Sequence, residues 1–242
     1  MGNLLSNLTP VVKNLLIINL LFFIAQWVLP DFMQNLELYP IVSEGFRPWQ
    51  LATHFFMHST YSIGHIFFNM FALVIFGNNL ERVWGPKRFL IYYLATALGA
   101  AILHMIVNYL TISSLENSLS IIDIEAFRIE GYNALLKGKN FIDPELGRLN
   151  LLYNTPMIGA SGAVFGLLAA FGYLFPNTEL MLLFPPIPIK AKYFVTGYAA
   201  LELYLGFANN PTDNVAHFAH IGGALIGIIM VIIWNKNKST LY

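Results

Sequence analysis

Residues 159–166 read GASGAVFG and open an apolar run that continues to Phe175. Ser161 stands in it between Gly159 and Gly162. A second stretch, NVAHFAHIGGALIG, places His220 ahead of Gly223, Ala224 and Gly227. A third, SIGHIFFNM, sets His65 and Asn69 four residues apart, on one helix face. A hydroxyl within hydrogen-bond reach of an imidazole is an activated nucleophile. An uncharged amide and backbone N–H groups beside it can hold an oxyanion. The two glycines would let a substrate carbonyl come close to the backbone. Such residues only do chemistry if the chain brings them together.

The elements that must do so are membrane helices. The chain has 242 residues, 57% hydrophobic and 11% charged, with mean hydropathy +0.61. Soluble domains carry about 25% charged residues, so this surface is expected to meet lipid. Net charge is zero and no basic stripe appears, which argues against nucleic acid as a partner. With no cysteines there is no disulfide, cysteine nucleophile or thiolate metal site. The start of the chain lacks the basic lead and cleavage site of a signal peptide, and is read as a retained first span. Met1-Gly2 matches part of a myristoylation pattern, by accident on this reading.

Six candidate spans fall at 11–29, 62–80, 88–110, 157–175, 191–208 and 214–234. Residues 30–61 form a long aromatic, half-buried loop, 111–156 the most polar stretch, and 209–213 a tight turn. Six spans put both termini on one side. Lys13, Arg82, Lys87, Arg88, Lys190, Lys192, Lys236 and Lys238 share that side, which the positive-inside rule makes cytoplasmic. Arg47, Arg128, Lys137, Lys139 and Arg148 are spread over the longer opposite loops. Ser161 is then expected near the outer end of the fourth span, one turn deep. No repeat relates the two halves, so an inverted-repeat transporter is not supported.

Five of the six histidines, His54, His58, His65, His217 and His220, fall near outer ends of their segments; His104 lies apart. Small-residue faces, Gly162, Gly166 and Ala169 on the fourth span and Gly223, Ala224 and Gly227 on the sixth, would let two backbones approach. If they pack together, Ser161 meets His220. Plainer roles exist for each residue. Ser161 alone can be a packing serine, His65 and Asn69 can bond a neighbouring helix, and His54 with His58 can brace the first loop. His217, one turn above His220, is expected nearer solvent and is the lesser candidate base. Glu202 is expected near the outer interface, paired or wet. The spacings of His54 with His58 and of His217 with His220 also suit a shared metal or a haem.

Taken together, these motifs resemble those of rhomboid intramembrane serine proteases. GASG at 159–162 resembles that family's GxSG, AHIGG at 219–223 its AHxxG, HIFFN at 65–69 its HxxxN, and ERVWG at 81–85 its ExxxG. RPWQLATHFFMH at 47–58 is similar to its first loop, although the usual Trp-Arg order is replaced by Arg47, Pro48, Trp49 and Gln50. The resemblance covers nearly all of 11–234 and implies an all-α, six-transmembrane-helix rhomboid bundle. It implies a half-embedded first loop and one membrane domain over 1–242. Residues 111–156, longer than the link in minimal bacterial members, are expected to be an extramembrane helical insertion.

The resemblance further implies a Ser–His dyad with no third acidic member, consistent with the absence of a neighbouring Asp or Glu in sequence. Ser161 would be the nucleophile and His220 the general base. His65, Asn69 and the Ser161 N–H would hold the oxyanion. Phe165 would pack on His220, with Gly159, Gly162 and Gly223 in support. The fifth span would act as a lateral gate. Substrates would be single-span membrane proteins in the lipid bilayer, cut near the outer end of a helix, with no cofactor and no metal. A plain six-span chain suits a bacterial inner membrane. Two alternatives stay open: a catalytically inactive relative that binds membrane helices, and a His-ligated metal or haem protein.

Overall fold

The computed structural model describes residues 7–182, 185–208 and 215–236. Met1-Gly2 and the turn at 209–213 lie outside these residues. Helix α1, Pro10–Val28, opens on a proline, whose missing N–H costs nothing at a first helical position. The next two N–H groups, of Val11 and Val12, donate to the Glu81 carboxylate at 3.0 and 2.9 Å. Glu81 is 2% exposed. A carboxylate is well placed at the positive end of a helix, and this is the physical work of the ERVWG stretch. Helix α2, Ile63–Trp84, carries a wider π turn at Leu73–Gly77. Gly85, at φ 76, and Pro86 then reverse the chain into α3.

Helix α3, Pro86–Ser118, runs 33 residues, about 50 Å at 1.5 Å each. It passes the expected end at 110, so the first residues of the polar stretch belong to it. The rest is helical: α4, Ile121–Leu136, and α5, Pro144–Asn154, capped by Ser120 and Asp143. Phe127, Leu146 and Leu149 bury against Ile112 and Leu115 of α3, a small core separate from the main one. The Tyr153 hydroxyl donates to the Val42 carbonyl at 2.5 Å, tying this unit to the first loop.

Helix α6 is Ser161–Leu174, shorter at its start than the expected 157–175. Its 14 residues rise only about 21 Å, less than a hydrocarbon core of about 30 Å. Every residue from Gly162 to Phe171 is buried, so α6 is jacketed by other helices and need not match the lipid thickness. A short antiparallel hairpin, β1 Glu179–Met181 and β2 Pro188–Lys190, lies in the link to α7, Ala191–Ala208. Helix α8 is His217–Lys236.

Among the described residues the architecture is thus all-α apart from that hairpin. Among the described residues, four helices are long and apolar enough to cross a membrane: α1, α2, α3 and α8. Helix α7 matches the expected fifth span in extent but is less apolar, carrying Lys192 and Glu202. Large apolar side chains stay exposed along the outside, among them Leu21 and Ile24 on α1, Ile102 on α3 and Leu225 on α8. A surface of that kind is matched to lipid.

The core is built on small residues. Gly223 of α8 lies against the backbone of Gly162, and Ala100 of α3 fills the space beside Gly162. One turn on, a Cβ at Gly227 would come within 3.0 Å of Gly166. The Tyr92 hydroxyl donates to the Gly166 carbonyl at 2.6 Å and closes that layer. The start of α1 meets Glu81 near the end of α2, and Trp234 of α8 packs on Trp84 at 5.5 Å. The start of α1 and the end of α8 therefore approach one end of the bundle, opposite Ser161.

A methyl group at Gly223 would collide with the Gly162 carbonyl, whereas Gly197 on α7 faces open space. Gly223→Ala is expected to cost about 2 kcal/mol and lower the unfolding temperature in detergent. Gly197→Ala should leave it unchanged or slightly raised.

Candidate active site

The approach to α6 explains why Ser161 stands where it does. Met157 and Leu38 exchange backbone hydrogen bonds of 2.8 and 3.1 Å, drawing the first loop over the start of α6. Gly159 then donates its N–H to the His54 carbonyl at 3.1 Å. Its φ is 117°, and a Cβ there would lie 2.8 Å from His65 Nε2, so glycine alone fits. The helix begins at Ser161, its first residue rather than one turn inside it. Val164 is the first residue whose N–H bonds back, to Ala160 at 3.0 Å. The earlier N–H groups, that of Ser161 included, have no such helical partner.

Helix α8 brings the imidazole. His220 lies one turn from the start of α8, not two, and its Nε2 is 2.8 Å from Ser161 Oγ. Phe165, one turn after Ser161, stacks on the His220 ring at 4.2 Å with 9° between planes, as expected. The close backbone contact at Gly162 and Gly223 sets this pairing.

The expectation of no acid beside the pair is overturned. Glu202 Oε2, on α7, is 2.8 Å from His220 Nδ1 and 2.6 Å from His217 Nδ1. Glu202 is 4% exposed, so of the two expected states it takes the paired one. His217 is 7% exposed and His220 8%, so His217 is not nearer solvent either. An ionised carboxylate can only accept, so both Nδ1 atoms carry the protons. That leaves the His220 Nε2 lone pair facing the Ser161 hydroxyl, which donates to it. A hydroxyl so held has a base waiting for its proton. Nothing local in sequence links Glu202 to His220: they lie 18 residues apart on different helices. A lone carboxylate in an apolar helix was the one available signal.

His65 is fixed by the first loop. Its Nδ1 accepts the Ser59 N–H at 3.2 Å, which puts its proton on Nε2, the atom packed against Gly159. Asn69 is buried and donates to the His65 carbonyl at 2.8 Å, committing one of its two amide hydrogens to its own helix. His54 Nδ1 donates to the Gln50 carbonyl at 2.8 Å, and its own carbonyl holds Gly159. The His58 backbone is bracketed by the Gln26 amide at 2.8 and 3.0 Å. The His54 ring braces the loop, while at His58 the backbone does so and the ring reaches only the Phe56 carbonyl at 3.3 Å. His104 is paired with Asn108 on its own helix at 3.1 Å and has His54 and His220 as electrostatic neighbours. Sequence reading also missed Gln50. Fully buried, it accepts from Tyr39 and Arg47 and donates to Asn35 and Gly45, organising the loop from within.

Glu202, His217 and His220 also form the one group among the described residues with metal-ligand composition, their ligand atoms within 4.8 Å of one another. Tetrahedral zinc with bonds of about 2.0–2.1 Å would hold its ligand atoms about 3.3 Å apart. The contacts of 2.6 and 2.8 Å are hydrogen-bond separations with a proton between, so the geometry favours the network over a metal. The Nδ1 atoms of His54 and His58 face carbonyls, not each other.

The family model for the Rhomboid domain matches residues 45–237. The chain belongs to the rhomboid family. It is 30% identical over 210 residues to RHOMBOID-like protein 12, mitochondrial, of Arabidopsis thaliana, covering 86% of this chain and 51% of that one. It is 24% identical over 203 residues to Rhomboid protein 1, mitochondrial, of Saccharomyces cerevisiae, covering 84% and 47%. It is 27% identical over 193 residues to Rhomboid protease AarA of Providencia stuartii, covering 77% and 56%. The chain spans about half the length of these relatives. With its apolar spanning helices, this rhomboid is an integral membrane protein.

Burial pushes the His54 imidazole down to about 4, and that of His58, also beside His65, to about 3. Above pH 6.5 these rings are neutral in both folded and unfolded chains. Between 6.5 and about 4 the unfolded chain binds a proton that folded His54 refuses, so stability falls with pH. The loss from His54 is on the order of 3 kcal/mol. The unfolding temperature is expected to drop on acidification from pH 7 to 4, and His54→Gln should flatten part of that drop.

Proposed function

We propose that this rhomboid is an intramembrane serine endopeptidase that cuts membrane-protein substrates in or beside their transmembrane helices. The observation that carries the reading is the 2.8 Å contact of Ser161 Oγ with His220 Nε2 under the stacked Phe165 ring. Ser161 Oγ attacks the peptide carbonyl carbon while its proton moves to His220 Nε2. The Ser161 N–H, the His65 Nε2–H and the remaining Asn69 amide hydrogen hold the oxyanion. The C–N bond breaks as His220 returns the proton to the leaving amine. Water, giving a proton to His220, then attacks the acyl ester and frees the new carboxyl end and Ser161.

In this reading six helices, α1, α2, α3, α6, α7 and α8, make one membrane domain, with α4 and α5 as an added extramembrane unit. Both termini are cytoplasmic, and Ser161 opens toward the opposite side, where water reaches it most easily. Substrates are single-span proteins whose helix must unwind before a carbonyl can reach Ser161. Similarity to both mitochondrial and bacterial proteins leaves the bacterial inner membrane without particular support. An inactive helix-binding relative would have no need of a hydroxyl bonded to an oriented imidazole, and no observation favours it.

The test is cleavage of a single-span reporter in liposomes. Ser161→Ala and His220→Ala are each expected to lower the rate by about 10³-fold or more, while His217→Ala still cleaves at a reduced rate. A fluorophosphonate probe should label wild type and not Ser161→Ala. Cleavage undiminished in Ser161→Ala would remove the serine mechanism.

A further inference from the structure

The Glu202 carboxylate bonds two histidines through one oxygen and is buried between α7 and α8. We infer that Glu202 is a positioning residue for the His220 base, making the working unit a Ser161–His220–Glu202 relay in which His217 aims the acid. The inference rests on the protease reading above and deepens it.

Three observations support it. First, the chain of contacts is continuous: Glu202 Oε2 to His220 Nδ1 at 2.8 Å, and His220 Nε2 to Ser161 Oγ at 2.8 Å. A neutral imidazole has one N–H, so an acceptor at Nδ1 decides which nitrogen is free to take the serine proton. Without it, the ring has no reason to keep its lone pair on Nε2.

Second, the carboxylate is placed at real cost. Burying a charge is expensive unless it is paired and hydrogen-bonded. Here both donors come from one face of α8, three residues apart, and both point to the same oxygen. Ser161 is paired with His220 and not with His217, so the part left to His217 is to fix where that oxygen sits. Third, Phe165 lies flat on the His220 ring, which limits tilting but leaves rotation within the ring plane. The Glu202 contact supplies the missing in-plane constraint.

Placement on α7 adds a consequence. Of the α7 side chains, only Ala191 and Glu202 are buried. Glu202 therefore holds the midsection of α7 to α8, and the base is oriented only while α7 is docked. A displacement of α7 from α8 would release the helix and disorient His220 together.

During the reaction the Nδ1 proton stays on His220. Ser161 gives its proton to Nε2, the ring becomes imidazolium, and Glu202 stabilises that charge without taking the proton. The same proton leaves on the amine, so charge and atoms balance.

The test uses the full chain labelled with ¹⁵N-histidine in detergent, and the reporter assay in liposomes. Wild-type His220, assigned by signals lost in His220→Asn, is expected in the Nδ1–H form. Glu202→Leu removes the acceptor and should lower kcat about 10²–10⁴-fold with KM within about twofold, and shift His220 toward Nε2–H. Glu202→Gln keeps an oxygen for the two N–H groups and loses the charge, so its kcat should fall between wild type and Leu. Wild-type His220 found as Nε2–H overturns the inference. So does a folded Glu202→Leu with wild-type kcat and a lowered unfolding temperature, since Glu202 would then be only a structural tie for α7. The wild-type tautomer decides even if Glu202→Leu does not fold. If Ser161→Ala cleaves like wild type, the protease reading fails separately, and the tautomers still report on Glu202.

Discussion

The structure depends on two helix backbones meeting without side chains between them. Gly223 of α8 lies on Gly162 of α6, and one turn on Gly227 lies on Gly166. Lipid is as apolar as a leucine side chain, so helices in a membrane gain little from hiding apolar surface from it. Close packing and satisfied polar groups must hold them instead. The approach has a second effect. Once the two glycine layers are in register, the residue before Gly162 and the residue three before Gly223 have to face each other, and these are Ser161 and His220. The contact that packs the bundle is also the one that assembles the site.

Among the described residues most polar groups inside the bundle are spent on a specific tie, although Asn19 Oδ1, His58 Nε2 and the Tyr93 hydroxyl are buried without a hydrogen-bond partner. Glu81 caps α1, Gln26 brackets the loop at His58, Gln50 collects four backbone partners, and Glu202 takes two imidazoles. Water is scarce there, so a missing partner would cost the full desolvation of the group. The same scarcity sharpens the chemistry proposed for Ser161. A proton relay and an oxyanion donor act more strongly in a poorly solvated cavity than in bulk water. The ties made by Gln50 through His54 and by Glu202 lie where the relay needs rigid neighbours.

The first loop and the added helices α4 and α5 belong to this scheme as supports. Leu38 pairs with Met157, His54 holds Gly159, and Ser59 fixes the His65 ring. Through Tyr153 and Val42, the unit of α4 and α5 is tied to the loop that carries these contacts. A line of packed contacts thus runs from the surface to the backbone turn before Ser161.

Much of this was legible in sequence. Apolar runs of membrane length, the Lys and Arg bias, and the spacing of small residues are local patterns, and local patterns survive without a fold. They were enough for the helical membrane class, for the pairing of Ser161 with His220 and for the bracing role of His54, whereas Phe165 on the histidine ring was implied only by the resemblance to rhomboids. The rest was decided by tertiary packing. Helix α6 could be short because other helices enclose it, and hydropathy cannot report enclosure. Ser161 became a first helical residue because Met157 and Gly159 are held by partners more than 100 residues earlier. Glu202 and His217 became a buried pair with His220 because α7 docks on α8, a choice of neighbour that no periodicity encodes. Sequence alone could name the groups able to do chemistry; only the packed bundle could say which carboxylate faces which imidazole, because that depends on distances between helices and not on spacing along them.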